Sequence, residues 1–89
     1  MKIHDISVQI HNDMLVWPGD LKVNVRRFSK MEDGESANVT AIVCSVHTGT
    51  HIDAPIHYVK SGYGIEQIDL NLLVGEVEVL EVNDNHSHI

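Results

Sequence analysis

The sequence predicts a β-rich α+β fold on three observations. Short runs of alternating apolar and polar residues recur along the chain, proline and glycine punctuate them, and only one stretch suits a helix. Over residues 3–10, Ile3, Ile6, Val8 and Ile10 alternate in part, and over 21–26 Leu21, Val23 and Val25 alternate with Lys22, Asn24 and Arg26. Two strands are expected there, with Pro18-Gly19 as the turn between them. Lys30 to Ser36, charged and containing Gly34, reads as a surface loop, and Val39 to Val46 as the central strand. Ser61-Gly62-Tyr63-Gly64 is a connector, Glu66 to Leu73 a short helix, and Val74 to Val82 a final strand. Glu76, Glu78 and Glu81 on that last strand suit a solvated edge better than a catalytic pair. No repeat or linker interrupts the chain, so residues 1–89 read as one small domain.

The central strand runs into the most informative segment, His47-Thr48-Gly49-Thr50-His51-Ile52-Asp53-Ala54-Pro55-Ile56-His57, which holds three of the seven histidines and a carboxylate. Imidazole and carboxylate are the donors that a borderline divalent ion such as zinc accepts, and three protein ligands plus water make a catalytic centre. His47, His51, Asp53 and His57 all occupy odd positions, so an extended segment projects them to one side. A helix would not: Asp53 lies six residues after His47, far out of phase at 3.6 residues per turn. Pro55 pushes Ala54 toward extended backbone, and Gly49 permits a tight turn between the first two histidines. The segment is therefore drawn as a strand end leading into a ligand-bearing loop. A lone histidine is ordinarily a surface or core residue. Clustering with a carboxylate between glycine and proline is what favours a metal site over a hydrogen-bonded polar turn.

This segment resembles the His-X-Gly-Thr-His-X-Asp-Ala-Pro-X-His signature of the putative cyclase family, which includes bacterial kynurenine formamidases and isatin hydrolases. The similarity extends upstream to Asp13-Met14-Leu15-Val16-Trp17-Pro18-Gly19-Asp20. It extends downstream to Gly64-Ile65-Glu66-Gln67-Ile68 and Leu72-Leu73-Val74-Gly75. The resemblance implies a swivelling β/β/α fold in which His47, His51 and Asp53 bind divalent metal, zinc first and manganese second, as one or two ions bridged by Asp53. It implies that His57 is the proton shuttle and that Trp17 contacts the substrate's aromatic ring. The implied activity is metal-dependent hydrolysis of a small-molecule amide, arylformamidase-like, taking N-formylkynurenine to kynurenine and formate through metal-activated water. Family members are usually longer, and their second half supplies a further histidine and a glutamate that have no counterpart in this sequence. The chain is accordingly expected to be the N-terminal portion of the family fold. The alternative class is a catalytically silent metal-binding or assembly module that needs a second half.

Composition narrows the field further. The net charge of −7, with only six lysines and arginines against 13 acidic residues, argues against a nucleic-acid partner. No run approaches the roughly 20 apolar residues of a membrane span, and Met1-Lys2-Ile3-His4-Asp5 meets charge at once, so no signal peptide is read and the cytoplasm is expected. Cys44 is alone in a strand-like run, which fits a buried structural thiol better than a nucleophile. His86 and His88 fit no ligand motif and are read as a solvated tail. A domain of this size buries roughly 60 to 65% of its unfolded surface. With unpaired edges left over, homo-oligomerisation is expected.

Overall fold

The computed structural model describes residues 1–83, so His86 and His88 lie outside the described residues. The chain divides into two units, Met1–Asp53 and Ala54–Ile89. The first unit contains an antiparallel pair, β1 (Asn24–Ser29) and β2 (Val39–Val43). Their register matches Asn24 with Val43, Val25 with Ile42, Arg26 with Ala41 and Arg27 with Thr40; a bulge at Phe28 then brings Ser29 opposite Val39. Between the strands, a single 3-10 turn at Met31–Asp33 closes on Gly34, whose φ of 94° is the left-handed conformation that glycine adopts without strain. Two side chains hold this connection. Asn38 Oδ1 accepts the Met31 amide at 2.9 Å, and Ser29 Oγ donates to the Ala37 carbonyl at 2.9 Å.

Asn12 supplies what a third strand would otherwise provide. Its Oδ1 accepts the Val25 amide at 2.6 Å and its Nδ2 donates to the Val25 carbonyl at 3.2 Å. One side-chain amide thus satisfies both backbone groups of a β1 residue, which blunts an open edge and ties Asn12 to the sheet. Asn12→Ala is expected to lower the thermal unfolding free energy by about 1 kcal/mol, the ordinary net worth of exposed hydrogen bonds. A melting temperature equal to that of the unsubstituted chain would show that the pairing contributes nothing.

Several expected elements take another form. Among the described residues there is no α-helix, so the helical part of the α+β expectation is replaced by single 3-10 turns. The helix expected over Glu66 to Leu73 becomes two such turns, Ile65–Gln67 and Leu70–Leu72. They are separated because Ile68 is extended (ψ 127°) and Asp69 turns its carboxylate onto the Asn71 amide at 2.9 Å. A segment this short cannot repay helix nucleation when its own side chains offer the backbone a competing bond.

Residues 3–10 are not a strand either. Asp5 Oδ1 accepts both the Ser7 hydroxyl and the Ser7 amide, which holds its carboxyl below the usual range. The Val8 amide goes to Thr50 Oγ1 rather than to a neighbouring strand. Residues 74–82 likewise form no strand, the expected strand over 21–26 moves to Asn24–Ser29, and the central strand stops at Val43. The common reason is that alternation marks a strand's faces, whereas a strand exists only where a partner takes its backbone groups.

Burial tells the same story. Val23, 6% exposed, is the one buried hydrophobic residue among those described, and Cys44 is half-buried rather than buried. The chain exposes 8827 Å², against about 5,200 Å² for a globular monomer of 9.9 kDa. It therefore falls well short of the burial expected of a self-contained domain, and Phe28, Ile42, Val43, Leu72 and Val79 all face outward.

In the second unit, Pro55 opens a 3-10 turn, Pro55–His57, where its missing amide donor is of no consequence. The loop it begins is closed by backbone bonds from Ile56 to the Tyr63 carbonyl (3.2 Å), Val59 to the Pro55 carbonyl (2.9 Å) and Gly62 to the Val59 carbonyl (2.8 Å). No helix among the described residues is long and apolar enough to cross a membrane.

Candidate metal centre

The ligand loop begins where β2 ends. Ser45 breaks the ladder by accepting the His47 amide on Oγ at 3.1 Å and the Thr48 amide on its carbonyl at 3.2 Å. Gly49 then takes φ 66°, and a Cβ there would lie 3.1 Å from Met14 Cε and 3.2 Å from Val8 Cγ2. Glycine is needed for the left-handed backbone, and the N-terminal segment packs closely against it. Convergence of the ligands thus comes from a turn, not from the face alternation of an extended strand.

The turn brings His47, His51 and Asp53 together, with one donor atom from each lying within 4.8 Å of the others. Asp53 Oδ1 is shared: His47 Nδ1 is 2.9 Å from it and His51 Nε2 is 3.2 Å from it. The imidazoles meet edge to face, with centroids 5.3 Å apart and planes at 71°. His51 Nδ1 lies 2.8 Å from the Gly49 carbonyl, an acceptor, so Nδ1 carries the proton and donates. In the neutral ring Nε2 is then a bare lone pair facing a carboxylate oxygen. Two acceptors at 3.2 Å repel unless a cation or a proton lies between them. Donors bound to zinc at 2.0–2.1 Å sit about 3.3 Å apart in a tetrahedron, close to the 3.2 Å between His51 Nε2 and Asp53 Oδ1, while His47 Nδ1 lies at hydrogen-bond distance from the same oxygen. Orientation of a ligating imidazole by a backbone carbonyl on its other nitrogen is the support such sites use. The donor chemistry therefore fits a divalent cation, and the three side chains, 31 to 42% exposed, leave room for further ligands.

Beside this cluster lies a cavity of about 820 Å³ whose lining includes His47, Gly49 and Thr50 from the ligand loop and Met14, Leu15 and Trp17 from the N-terminal segment. Trp17 is 79% exposed. It stands at a turn closed by the Asp20 amide on its carbonyl at 2.9 Å, with Gly19 at φ 86°. The first unit thus brings Trp17 and the candidate ligand His47 to one cavity. His57 belongs to the second unit, at the end of the Pro55–His57 turn, where its ring packs on Tyr58 with centroids 4.2 Å apart.

Sequence reasoning missed Asn12, Thr50 and the polar cavity residues His11 and Asp13. Thr50 was legible in part, since it lies between Gly49 and His51; its hydroxyl anchors the cavity wall through the Val8 amide at 2.9 Å. Asn12 carries no such signal, because its partner Val25 is fixed only by the tertiary structure.

Comparison with known proteins adds an independent line. The family model described as "Putative cyclase" matches residues 4–89. Kynurenine formamidase of Bacillus cereus (strain ATCC 10987 / NRS 248) is 37% identical over 83 residues, covering 93% of this chain and 40% of the relative. That of Geobacillus thermodenitrificans (strain NG80-2) is 42% identical over 81 residues, covering 90% of this chain and 38% of the relative. The Bacillus anthracis kynurenine formamidase is 36% identical over 83 residues with the same 93% and 40% coverage. The chain therefore spans about 40% of the length of the curated relatives it matches. With a family model matched over nearly its whole length and the donor cluster in place, the chain belongs to the cyclase family.

Proposed function

We propose that this chain is the metal-binding portion of a metal-dependent amide hydrolase, arylformamidase-like, whose reaction is N-formylkynurenine plus water to kynurenine and formate. The observation that carries the reading is the convergence of His47, His51 and Asp53 at the edge of a cavity that also presents Trp17. The relatives' shared name, kynurenine formamidase, supports the substrate class. In this reading residues 1–89 form one part of the family's swivelling β/β/α domain. His47, His51 and Asp53 hold zinc, with manganese as the second choice. An ion held by these three residues would supply an acidified water and a Lewis acid for the scissile carbonyl. Trp17 lays its indole against the aryl ring and excludes water from that face. His57 takes the proton released as water adds to the formyl carbon, and delivers it to the aryl nitrogen as the C–N bond breaks.

His57→Ala, assayed with the chain mixed with a polypeptide that supplies the remaining length of the relatives, is expected to lower kcat by about 100-fold or more, the usual worth of a positioned acid–base group, with metal content unchanged. Full turnover with metal retained would remove His57 from the reaction.

A second reading, a metal-binding or assembly module without turnover of its own, draws on the 8827 Å² of exposed surface. Mixing the chain with a polypeptide that supplies the remaining length of the relatives separates the two. Recovered formamidase activity supports the hydrolase, whereas association without activity supports the module.

A further inference from the structure

The cavity beside the ligand loop is lined by three polar side chains of the N-terminal segment, Gln9, His11 and Asp13, to which the proposed reaction gives no role. His11 and Asp13 both line it, on the same N-terminal segment as Trp17. The Asp13 amide donates to His11 Nδ1 at 3.2 Å, and a nitrogen that accepts a hydrogen bond cannot also carry the ring proton. The proton of the neutral ring is therefore on Nε2, and His11 offers the cavity a donor. Asp13 offers it an anionic acceptor. Asp13 also borders a smaller recess lined by Lys22, and among the described residues no ion pair joins the two. Apart from Gln9, the remaining wall of this segment is apolar, formed by Val8, Met14, Leu15, Val16 and Pro18. At about 820 Å³ the space falls in the range of small-molecule pockets.

One donor and one carboxylate, held two residues apart on an apolar wall that ends in an indole, suit a ligand with a flat ring and a zwitterionic end. We infer that His11 and Asp13 determine specificity for aromatic substrates bearing an α-amino acid group. The Asp13 carboxylate pairs with the ligand's ammonium, and the His11 Nε2–H donates to its carboxylate while Trp17 faces the ring. The inference rests on the reading of this cavity as the substrate pocket and adds to it which part of the substrate is read and by what. Both contacts are solvent-facing, so each is worth a several-fold change in affinity rather than a thousand-fold one.

Trp17 is the sole tryptophan and lines the cavity, so its fluorescence reports occupancy directly. The full chain is titrated with kynurenine and with 2-aminoacetophenone, the same aryl ketone without the α-amino acid end, so that both ligands share one chromophore. Kynurenine is expected to bind about tenfold more tightly. Asp13→Asn and His11→Ala are each expected to weaken kynurenine about three- to tenfold and to leave 2-aminoacetophenone within twofold of its original affinity. Equal affinities for the two ligands in the unsubstituted chain overturn the inference without recourse to any variant. A preference for kynurenine that survives both substitutions overturns it as well, and leaves the pocket standing. If neither ligand perturbs Trp17, the pocket reading itself falls and takes the inference with it.

Discussion

Replacing Asp53 by Ala is expected to lower zinc affinity by at least about 100-fold, more than the loss of a supporting residue around a metal normally costs. The reason is geometric. Asp53 Oδ1 is the atom on which both imidazoles converge, 2.9 Å from His47 Nδ1 and 3.2 Å from His51 Nε2. Without it, two neutral nitrogen ligands remain on an exposed turn, and nothing balances the ion's charge. Competition against a chromophoric chelator measures the change. The same experiment has a stability counterpart: zinc at 100 times its dissociation constant raises the unfolding free energy of the unsubstituted chain by about 2.7 kcal/mol, and the variant loses most of that gain at the same concentration. An affinity for Asp53→Ala within threefold of the original would take Asp53 out of the ligand set.

The second large effect is expected in the other unit. A Cβ on Gly62 would lie 2.6 Å from both Ile56 N and the Pro55 carbonyl carbon, and 2.8 Å from Pro55 O. These are backbone atoms of the loop that Gly62 closes, so no side-chain rotation relieves the contact. Gly62→Ala must therefore open the loop, straining the Gly62-to-Val59 bond at 2.8 Å and the Ile56-to-Tyr63 bond at 3.2 Å. The expected cost is about 2 kcal/mol, in the range of overpacked sites. Read by amide hydrogen exchange, this is roughly a 30-fold loss of protection at Ile56, Val59 and Gly62. Unchanged protection at these three amides would show that the loop accommodates a methyl group and that the close approach is not structural.

The clustering of His47, His51 and Asp53 was legible in the sequence because it is local. His47, His51 and Asp53 lie within one turn, and Gly49 and Pro55 announce where the backbone must bend. Even so, the sequence suggested strand alternation as the means of convergence, whereas the ligands meet through the Ser45–Gly49 turn. The strands were less legible, and for a definite reason. Alternation over 3–10 and 74–82 shows which residues would share a face, but pairing requires a neighbour. In the first unit the available neighbours are side chains: Asn12 on Val25, Thr50 on Val8 and Asp5 on Ser7. Such side-chain substitutes leave no period in the sequence. The helix expected over Glu66 to Leu73 failed for a reason visible beforehand, since Asp69 and Asn71 are residues that bind their own backbone. Trp17 was singled out by the family resemblance rather than by composition, and the structure sets it on the cavity that His47 also lines.

The central claim is that two imidazoles and one carboxylate of the ligand loop hold a divalent cation. Its most direct test is the zinc K-edge absorption spectrum of the chain loaded with one equivalent of zinc, in a background where His86 and His88 are replaced by Ala. A coordination shell of nitrogen and oxygen only is expected at about 2.0–2.1 Å, with the multiple scattering of two imidazoles. That imidazole signal should fall when His51 is replaced by Ala. A sulfur shell near 2.3 Å, which would implicate Cys44, or an imidazole signal indifferent to His51, would contradict it.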